Sequence, residues 1–261
     1  MAPMGTNFSL AKGTAGAFYE ERAKGGVGAI IVGSMLVDQL GKGDFAQKLH
    51  SWIARPVQKY GTKMGLQLFY PNMYPCDFKG RISRQLVAPS TGVPYGATKV
   101  MPSYGYKQFY CRELALSEIN DIVTRYASAA KKVKEAGFDF IEMHGCHGHN
   151  LVHQFFSPLD NRRKDKYGGD LANRMRFAIE IAQAIREAIG KDYPFFWRLC
   201  AEEGLPGGYT FDECVELCIG LEKNGIDVID VSFGHEVNYA PAPPGHFSPS
   251  PCEERPVATF V

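Results

Sequence analysis

Five short segments of this chain are apolar enough to be buried strands. Residues 28–33 (GAIIVG), 64–69 (MGLQLF), 138–144 (FDFIEMH), 194–200 (PFFWRLC) and 226–231 (IDVIDV) are strand-sized and rich in β-branched or aromatic residues. Four of the five show little apolar–polar alternation, which predicts strands covered on both faces. Helical spacing fills the intervals. Ile119, Ile122, Val123, Tyr126, Ala130 and Val133 recur on one helical face after Ser117, and Met175, Ala178, Ala182, Ile185 and Ile189 do so after Asn173. Thr210 and Glu213 form a capping box: each side chain can bond the other's free backbone N–H, so a third helix opens there. Phe45, Leu49 and Trp52 have the spacing of a helix core.

An internal echo supports a repeating unit. Residues 134–142 (KEAGFDFIE) match residues 222–230 (EKNGIDVID). Each copy is a helix end, a glycine suited to the C-cap and a buried strand. Repeated βα units predict a parallel sheet, open or closed. With a stub at Met1–Met4 the strand count is six, against the eight of a closed (β/α)₈ barrel. Residues 70–113 hold Pro, Gly and Tyr but no strong period, the pattern of a functional loop. The chain opens inside a strand and closes at Ala258–Val261 as a helix begins, so both ends read as cut.

Composition narrows the class. The 261 residues carry a net charge of +1, and 45% are hydrophobic. That excludes a mainly disordered chain, and the near-zero charge argues against nucleic acid or an anionic membrane as partner. No apolar run approaches the ~18 residues of a membrane span, and no secretory signal is visible. Seven scattered cysteines without a CxxC argue for free thiols in a reducing cytoplasm. The Asn7-Phe-Ser9 sequon is then a chance match.

The densest chemistry is four histidines in ten residues, His144, His147, His149 and His153, starting at the end of a predicted strand. Imidazoles there can bond a substrate oxygen, move protons or bind metal. A single loop histidine is as often bonded to backbone, but four at one strand end favour a site. The blocks HGCHG (144–148), SPLDNR (157–162), YGG (167–169) and NRMRF (173–177), with Met1-Ala-Pro-Met4, Gln67 and Arg198, resemble the Old Yellow Enzyme family of flavin oxidoreductases. The likeness covers nearly the whole chain. Gly234-His-Glu236 and residues 241–245 are more similar to its long branch, which includes 2,4-dienoyl-CoA reductases, 2-enoate reductases and bile-acid oxidoreductases.

The resemblance implies a (β/α)₈ TIM barrel, incomplete here at about strands 1 to 6, with residues 1–261 as one partial FMN-binding domain. It implies FMN as cofactor and NAD(P)H as hydride source. The small-molecule substrate would be an activated alkene, an α,β-unsaturated carbonyl or enoyl thioester. A 4Fe-4S centre and FAD would belong to a part beyond Val261. A homo-oligomer stays open, and no resident metal is implied. By position, His144 and His147 would hold the substrate's carbonyl oxygen and stabilise the developing enolate. Gln67 would bond the flavin pyrimidine edge. Arg198 would stand near N1 and O2, favouring the anionic reduced ring. Pro3, Met4, Gly5 and Ser34 would line the flavin.

Two positions depart from the family pattern. His149 stands where the family has a proton-donating tyrosine, and would donate as an imidazolium near neutral pH. Gly5 stands where a Thr or Cys usually tunes the flavin. Blander readings accompany other residues. Arg198 alone reads as an interior ion pair, Gln67 as an amide bonded to backbone, and Cys214 and Cys218 as helix packing. Arg162, Arg163, Lys164 and Lys166 read as a solvated basic loop or a contact for CoA phosphates. Two rival functions remain: a metal-dependent barrel hydrolase using His144, His147 and His149, and an inactive truncated copy. A six-strand barrel with two open edges is expected not to form a stable flavin-loaded monomer.

Overall fold

The predicted alternation of strands and helices is present in the computed structural model, which describes residues 1–4, 6, 8, 10, 13–70, 86–95 and 110–235. Helix α1 (Thr14–Lys24) precedes strand β1 (Ala29–Leu36). Short helices α2 (Val37–Leu40) and α3 (Phe45–Leu49) follow, and a π-helical turn (His50–Ala54) leads into α4 (Arg55–Gln58). Then come β2 (Lys63–Phe69), the two-residue strands β3 (Val87–Ala88) and β4 (Arg112–Glu113), and α5 (Leu116–Ala136). Strand β5 (Phe140–His144), α6 (Leu151–Phe156), α7 (Leu171–Ile189), β6 (Phe195–Cys200), α8 (Phe211–Lys223) and β7 (Val228–Ser232) complete the order.

Strands β1, β2, β5, β6 and β7 form one parallel sheet in chain order. Neighbouring parallel strands joined by helical crossovers are the arrangement of a (β/α) barrel sector. The sixth expected strand is corrected. Met1 makes one pairing step beside β1, donating to Ala29 O at 2.7 Å and accepting from Ile31 N at 3.0 Å, but Met1–Met4 is not a strand. Residues 71–85 and 96–109 of the long loop lie outside the described residues, as does the Ala258–Val261 helix start. Within that loop, β3 and β4 pair in parallel and Gly92 bridges Cys111. Two-residue strands carry no period, so the pattern of the sequence does not show them.

The strands present two unlike faces, because successive side chains alternate. Met64, Leu66, Leu68, Ile141, Met143, Phe195, Trp197 and Leu199 are all buried and join the main core. That core takes the predicted stripe of α5 (Ile119, Ile122, Tyr126, Ala130, Val133) and the face of α7 running from Phe177 to Ile189. The opposite face is not the apolar surface that four unalternating strands predict. Phe140 stacks on Phe196 with ring centroids 4.7 Å apart, and a Cβ on Gly65 would meet the Phe140 ring at 2.1 Å. Beyond this apolar floor the same face carries Gln67, Glu142, Arg198 and Asp230.

The echoed units have a shared physical task. Gly137 and Gly225 both take positive φ (101° and 89°), turning the chain from helix to strand. Two residues later, Asp139 accepts from Met64 N at 2.9 Å and Asp227 accepts from Phe195 N at 2.8 Å. Each aspartate satisfies the first free donor of the preceding sheet strand. Asp139 also accepts from Gln58 Nε2 at 2.8 Å and Lys63 Nζ at 3.0 Å. The capping box at Thr210 is present in both directions, at 3.3 and 3.0 Å. Asp139→Ala should cost about 1.5–3 kcal/mol, the worth of hydrogen bonds to a charged acceptor. Urea unfolding checks this, and a loss below about 0.5 kcal/mol, the range of ordinary surface changes, would show that the strand start needs no side-chain acceptor.

Candidate active site

The histidine cluster is built by the end of β5 and a tight loop into α6. His144 is the last residue of the strand. His147 takes φ 70° and Gly148 φ 75°, which turns the loop sharply. A Cβ on Gly148 would meet the His235 ring at 2.2 Å, so only glycine lets that ring lie behind the loop. Asn150 then caps α6, its side chain accepting from His153 N at 2.9 Å. Six residues, Leu151–Phe156, form that helix, which the histidine spacing alone does not predict.

Proton positions follow from the donors around His144. Its Nδ1 faces Cys146 N at 3.5 Å, Asn150 Nδ2 at 3.5 Å and Cys146 Sγ at 3.4 Å. Two of these are obligatory donors, so Nδ1 accepts and Nε2 carries the proton. His144 Nε2 then donates to His149 Nε2 at 3.1 Å. His149 in turn hydrogen-bonds the His147 backbone, which assigns its own proton to Nδ1. His147 directs Nε2 to Ser232 Oγ at 2.7 Å and Nδ1 to Cys146 Sγ at 3.3 Å. Phe69 flanks the pair, with centroids 5.3 Å from His144 and 5.5 Å from His149.

The expectation of an imidazolium at His149 is corrected. Burial, then the charges of His147 and His153, pushes His149 down to about 3. His144 is driven well below the usual histidine range, first by burial and then by His149 and His147. Both rings are neutral at pH 7. The three histidines of the hydrolase reading do not converge on one point. His149 bonds His144 through Nε2 and does not turn toward the point on which His144 and His147 converge.

Below the histidines lies a charged layer that spans four strands. Gln67 Nε2 donates to Glu142 Oε1 at 2.7 Å, and Arg198 Nη1 donates to Asp230 Oδ2. Gln67 is thus bonded to a carboxyl group and not to backbone. Arg198 does form the interior ion pair. Glu142 Oε2 and Asp230 Oδ1 accept from no donor among the described residues, and the two carboxyl groups are within hydrogen-bonding reach. Burial, then the charge of Asp230, pushes Glu142 up to about 8, so it holds a proton at neutral pH. Neither carboxyl was singled out from the sequence, although both end the echoed segments.

The remaining expected residues divide. Met4 is 63% exposed, Ser34 is an exposed residue of β1 itself, and Pro3 is half-buried. Gly5, Glu236 and residues 241–245 lie outside the described residues. The SPLDNR, YGG and NRMRF blocks are scaffold. Asn161 Nδ2 donates to Phe155 O at 2.6 Å and Tyr167 O at 2.7 Å, and Arg174 Nη1 to Phe156 O at 2.8 Å. Arg163 is buried against Asp165, Pro89 O and Leu114 O, so it is not available to a phosphate. Cys214 packs in the core, as expected.

The description of the NADH:flavin oxidoreductase / NADH oxidase family matches residues 1–254. The chain belongs to that family. An NADH oxidase from Thermoanaerobacter brockii is 37% identical over 250 residues, covering 90% of this chain and 36% of the relative. An NADPH dehydrogenase from Clostridium acetobutylicum is 37% identical over 226 residues, covering 83% and 62%. A solved 2-naphthoyl-CoA reductase complex superposes with TM-score 0.72 at 25% identity, over 86% of this chain and 36% of the other. The chain therefore spans between about a third and three fifths of these relatives. The parallel sheet and its helices are the α/β barrel fold that the motifs implied. No helix among the described residues is long and apolar enough to cross a membrane.

The raised Glu142 sets a pH dependence. A carboxyl whose folded pKa is raised contributes stability that is full below its unfolded value, roughly 4.3. That contribution is lost as pH rises through about 8. Glu142→Gln keeps an acceptor for Gln67 and has no proton to lose. Its thermal unfolding should fall less between pH 6 and 9 than that of the parent chain. Parallel profiles for the two proteins would place the titrating group elsewhere.

Proposed function

We propose that this chain is the FMN-binding part of an NAD(P)H-dependent oxidoreductase that reduces the double bond of an activated alkene. The observation that carries the reading is the pairing of His144 with Arg198 across neighbouring strands. It puts an oxygen-binding imidazole beside a cation suited to an anionic flavin, one strand spacing of about 4.8 Å away.

The residues present fit FMN. Only Nη1 of Arg198 is engaged, by Asp230, and its other N–H groups have no partner among the described residues. The Gln67 carbonyl oxygen likewise accepts nothing among the described residues, its amide donating to Glu142. A buried donor and a buried acceptor two strands apart suit the acceptor and N–H groups of a flavin pyrimidine. Met4, and Ser34 on β1, would cover the ring. When bound, FMN supplies the hydride chemistry. The chain's own groups orient the substrate. A carbonyl oxygen would replace His149 Nε2 as acceptor of the His144 Nε2 proton, and His147 would add a second donor. Charge developing on that oxygen is then stabilised by fixed N–H groups in a site shielded by Phe69. The lengths of the NADH oxidase and the naphthoyl-CoA reductase support the long branch, with a 4Fe-4S centre and FAD beyond this chain. The naphthoyl-CoA held by that reductase supports an enoyl or aryl thioester as substrate class.

His144→Ala and His147→Ala should each slow alkene reduction by about 10²–10³, the cost of an oxyanion donor. Flavin reduction by NAD(P)H should change little. Stopped-flow measurement of the two half-reactions separates them, and equal loss in both would contradict the assignment. Arg198→Ala should weaken FMN binding by about 1.5–3 kcal/mol, and unchanged affinity would remove Arg198 from the flavin site. Because His149 is already neutral, the alkene half-reaction should be flat between pH 5 and 8. A fall centred near 6.5, the ordinary histidine value, would restore the imidazolium donor.

A further inference from the structure

Cys146 has no part in the proposed reaction, yet both substrate histidines turn toward it. Its Sγ is 3.4 Å from His144 Nδ1 and 3.3 Å from His147 Nδ1, and the three donor atoms lie within 4.8 Å of one another. With metal–sulfur bonds of about 2.3 Å and metal–nitrogen bonds of about 2.05 Å, a tetrahedral zinc site has a sulfur–nitrogen edge of about 3.5 Å. The observed separations are within a few tenths of that edge. Cys200, at the end of β6, is not part of this cluster: its thiol donates to Gly234 O at 2.9 Å.

The other ring nitrogens are already fixed. His144 Nε2 is bonded to His149 and His147 Nε2 to Ser232. The His144 tautomer derived above leaves the Nδ1 lone pair toward Cys146. An outer nitrogen held by a protein partner while the inner one points at a common centre is how ligating histidines are oriented. Cys146 is buried, but His147 and His149 are half-buried at the open end of the strands and leave an approach for an ion.

We propose that His144, Cys146 and His147 form a binding site for a thiophilic divalent cation of the zinc class, with the fourth position left to water. Binding displaces the Cys146 thiol proton, so the ion meets a thiolate and two neutral imidazoles. The site goes beyond the flavin reading but shares His144 and His147 with it: the cation takes the Nδ1 edge of His144, and the substrate oxygen takes the Nε2 proton. The rival group His153, Glu203 and His235 is weaker. His153 Nε2 is already closed on Glu203 Oε1 at 2.9 Å with both side chains fully buried, and the group offers no sulfur.

The test uses the full chain, reduced and metal-free, without FMN or NAD(P)H. Titration with cobalt(II) should give one equivalent of binding with thiolate-to-cobalt charge-transfer absorption and the intense visible bands of a tetrahedral ion. Zinc should displace it. Cys146→Ala and Cys146→Ser should abolish the sulfur band and weaken binding at least ~100-fold, beyond the 10–100-fold typical of an outer-shell loss. Circular dichroism confirms that both variants fold. Cys218→Ser, on α8, should bind as the parent does. Cobalt binding without a sulfur band, or binding that survives both Cys146 variants and is lost in His235→Ala, would overturn the proposal. Since no flavin is present, a failure here leaves the oxidoreductase reading intact, and a colourless, flavin-free protein leaves this one intact.

Discussion

Glu142 and Asp230 stand on the same face of the sheet with a single guanidinium, that of Arg198, to balance them. Two buried carboxylates and one cation leave a charge that the interior cannot hold. The protein resolves the excess by protonation. Asp230 takes Arg198, and Glu142 keeps its proton and accepts from Gln67. Everything above this layer depends on it. Arg198 is fixed beside His144 because Asp230 anchors its Nη1, and Gln67 presents its carbonyl because its amide is engaged. If the layer had paired completely, it would offer no donor or acceptor to a ligand.

The strands were legible because apolar runs of five to seven residues bounded by glycine, aspartate or proline have few other uses. The inner polar layer was not. The runs at 138–144, 194–200 and 226–231 hold one or two charged residues each and the other two hold none, so the charges do not disturb the apolar impression. Period two would have shown it: Glu142 and His144 fall on one face, as do Arg198 and Cys200. The echo of residues 134–142 in 222–230 also contained the answer. It aligns Asp139 with Asp227 and Glu142 with Asp230, so one copy's strand cap and inner carboxyl predict the other's. Motif resemblance found Gln67, Arg198 and the histidines but gave no separation of site from scaffold. Asn161 and Arg174 are as specific in sequence as His144, yet they close backbone carbonyls at helix ends. Only the bonding partners distinguish the two roles.

The neutral state of His144 and His149 follows from burial first and from crowding second. His144, His147 and His149 have centroids 4.8 to 6.0 Å apart, and Arg198 adds a fixed positive charge below. A second cation in that space would be opposed by both desolvation and like charge. Neutral imidazoles retain one N–H each, which is what an oxygen ligand needs, and one lone pair each, which is what a cation needs. His144 therefore has an N–H for an oxygen ligand on one edge and a lone pair for a cation on the other.

Asn150 decides which ligand each ring nitrogen serves. Its Oδ1 caps α6 by accepting from His153 N, while its Nδ2 donates to Cys146 O and approaches His144 Nδ1. An amide with its oxygen committed to a helix N-terminus has only its NH₂ left for the loop, so the donor character at His144 Nδ1 is set by helix formation. That places the His144 proton on Nε2, facing His149 and the open end of the strands. With an aspartate at 150 the cap would survive, but the side chain would offer only acceptors to Nδ1. The proton would then move to Nδ1, and His144 would turn a lone pair toward any oxygen bound above it. The cap and the tautomer are thus one constraint, and it can be met by asparagine but not by its acid.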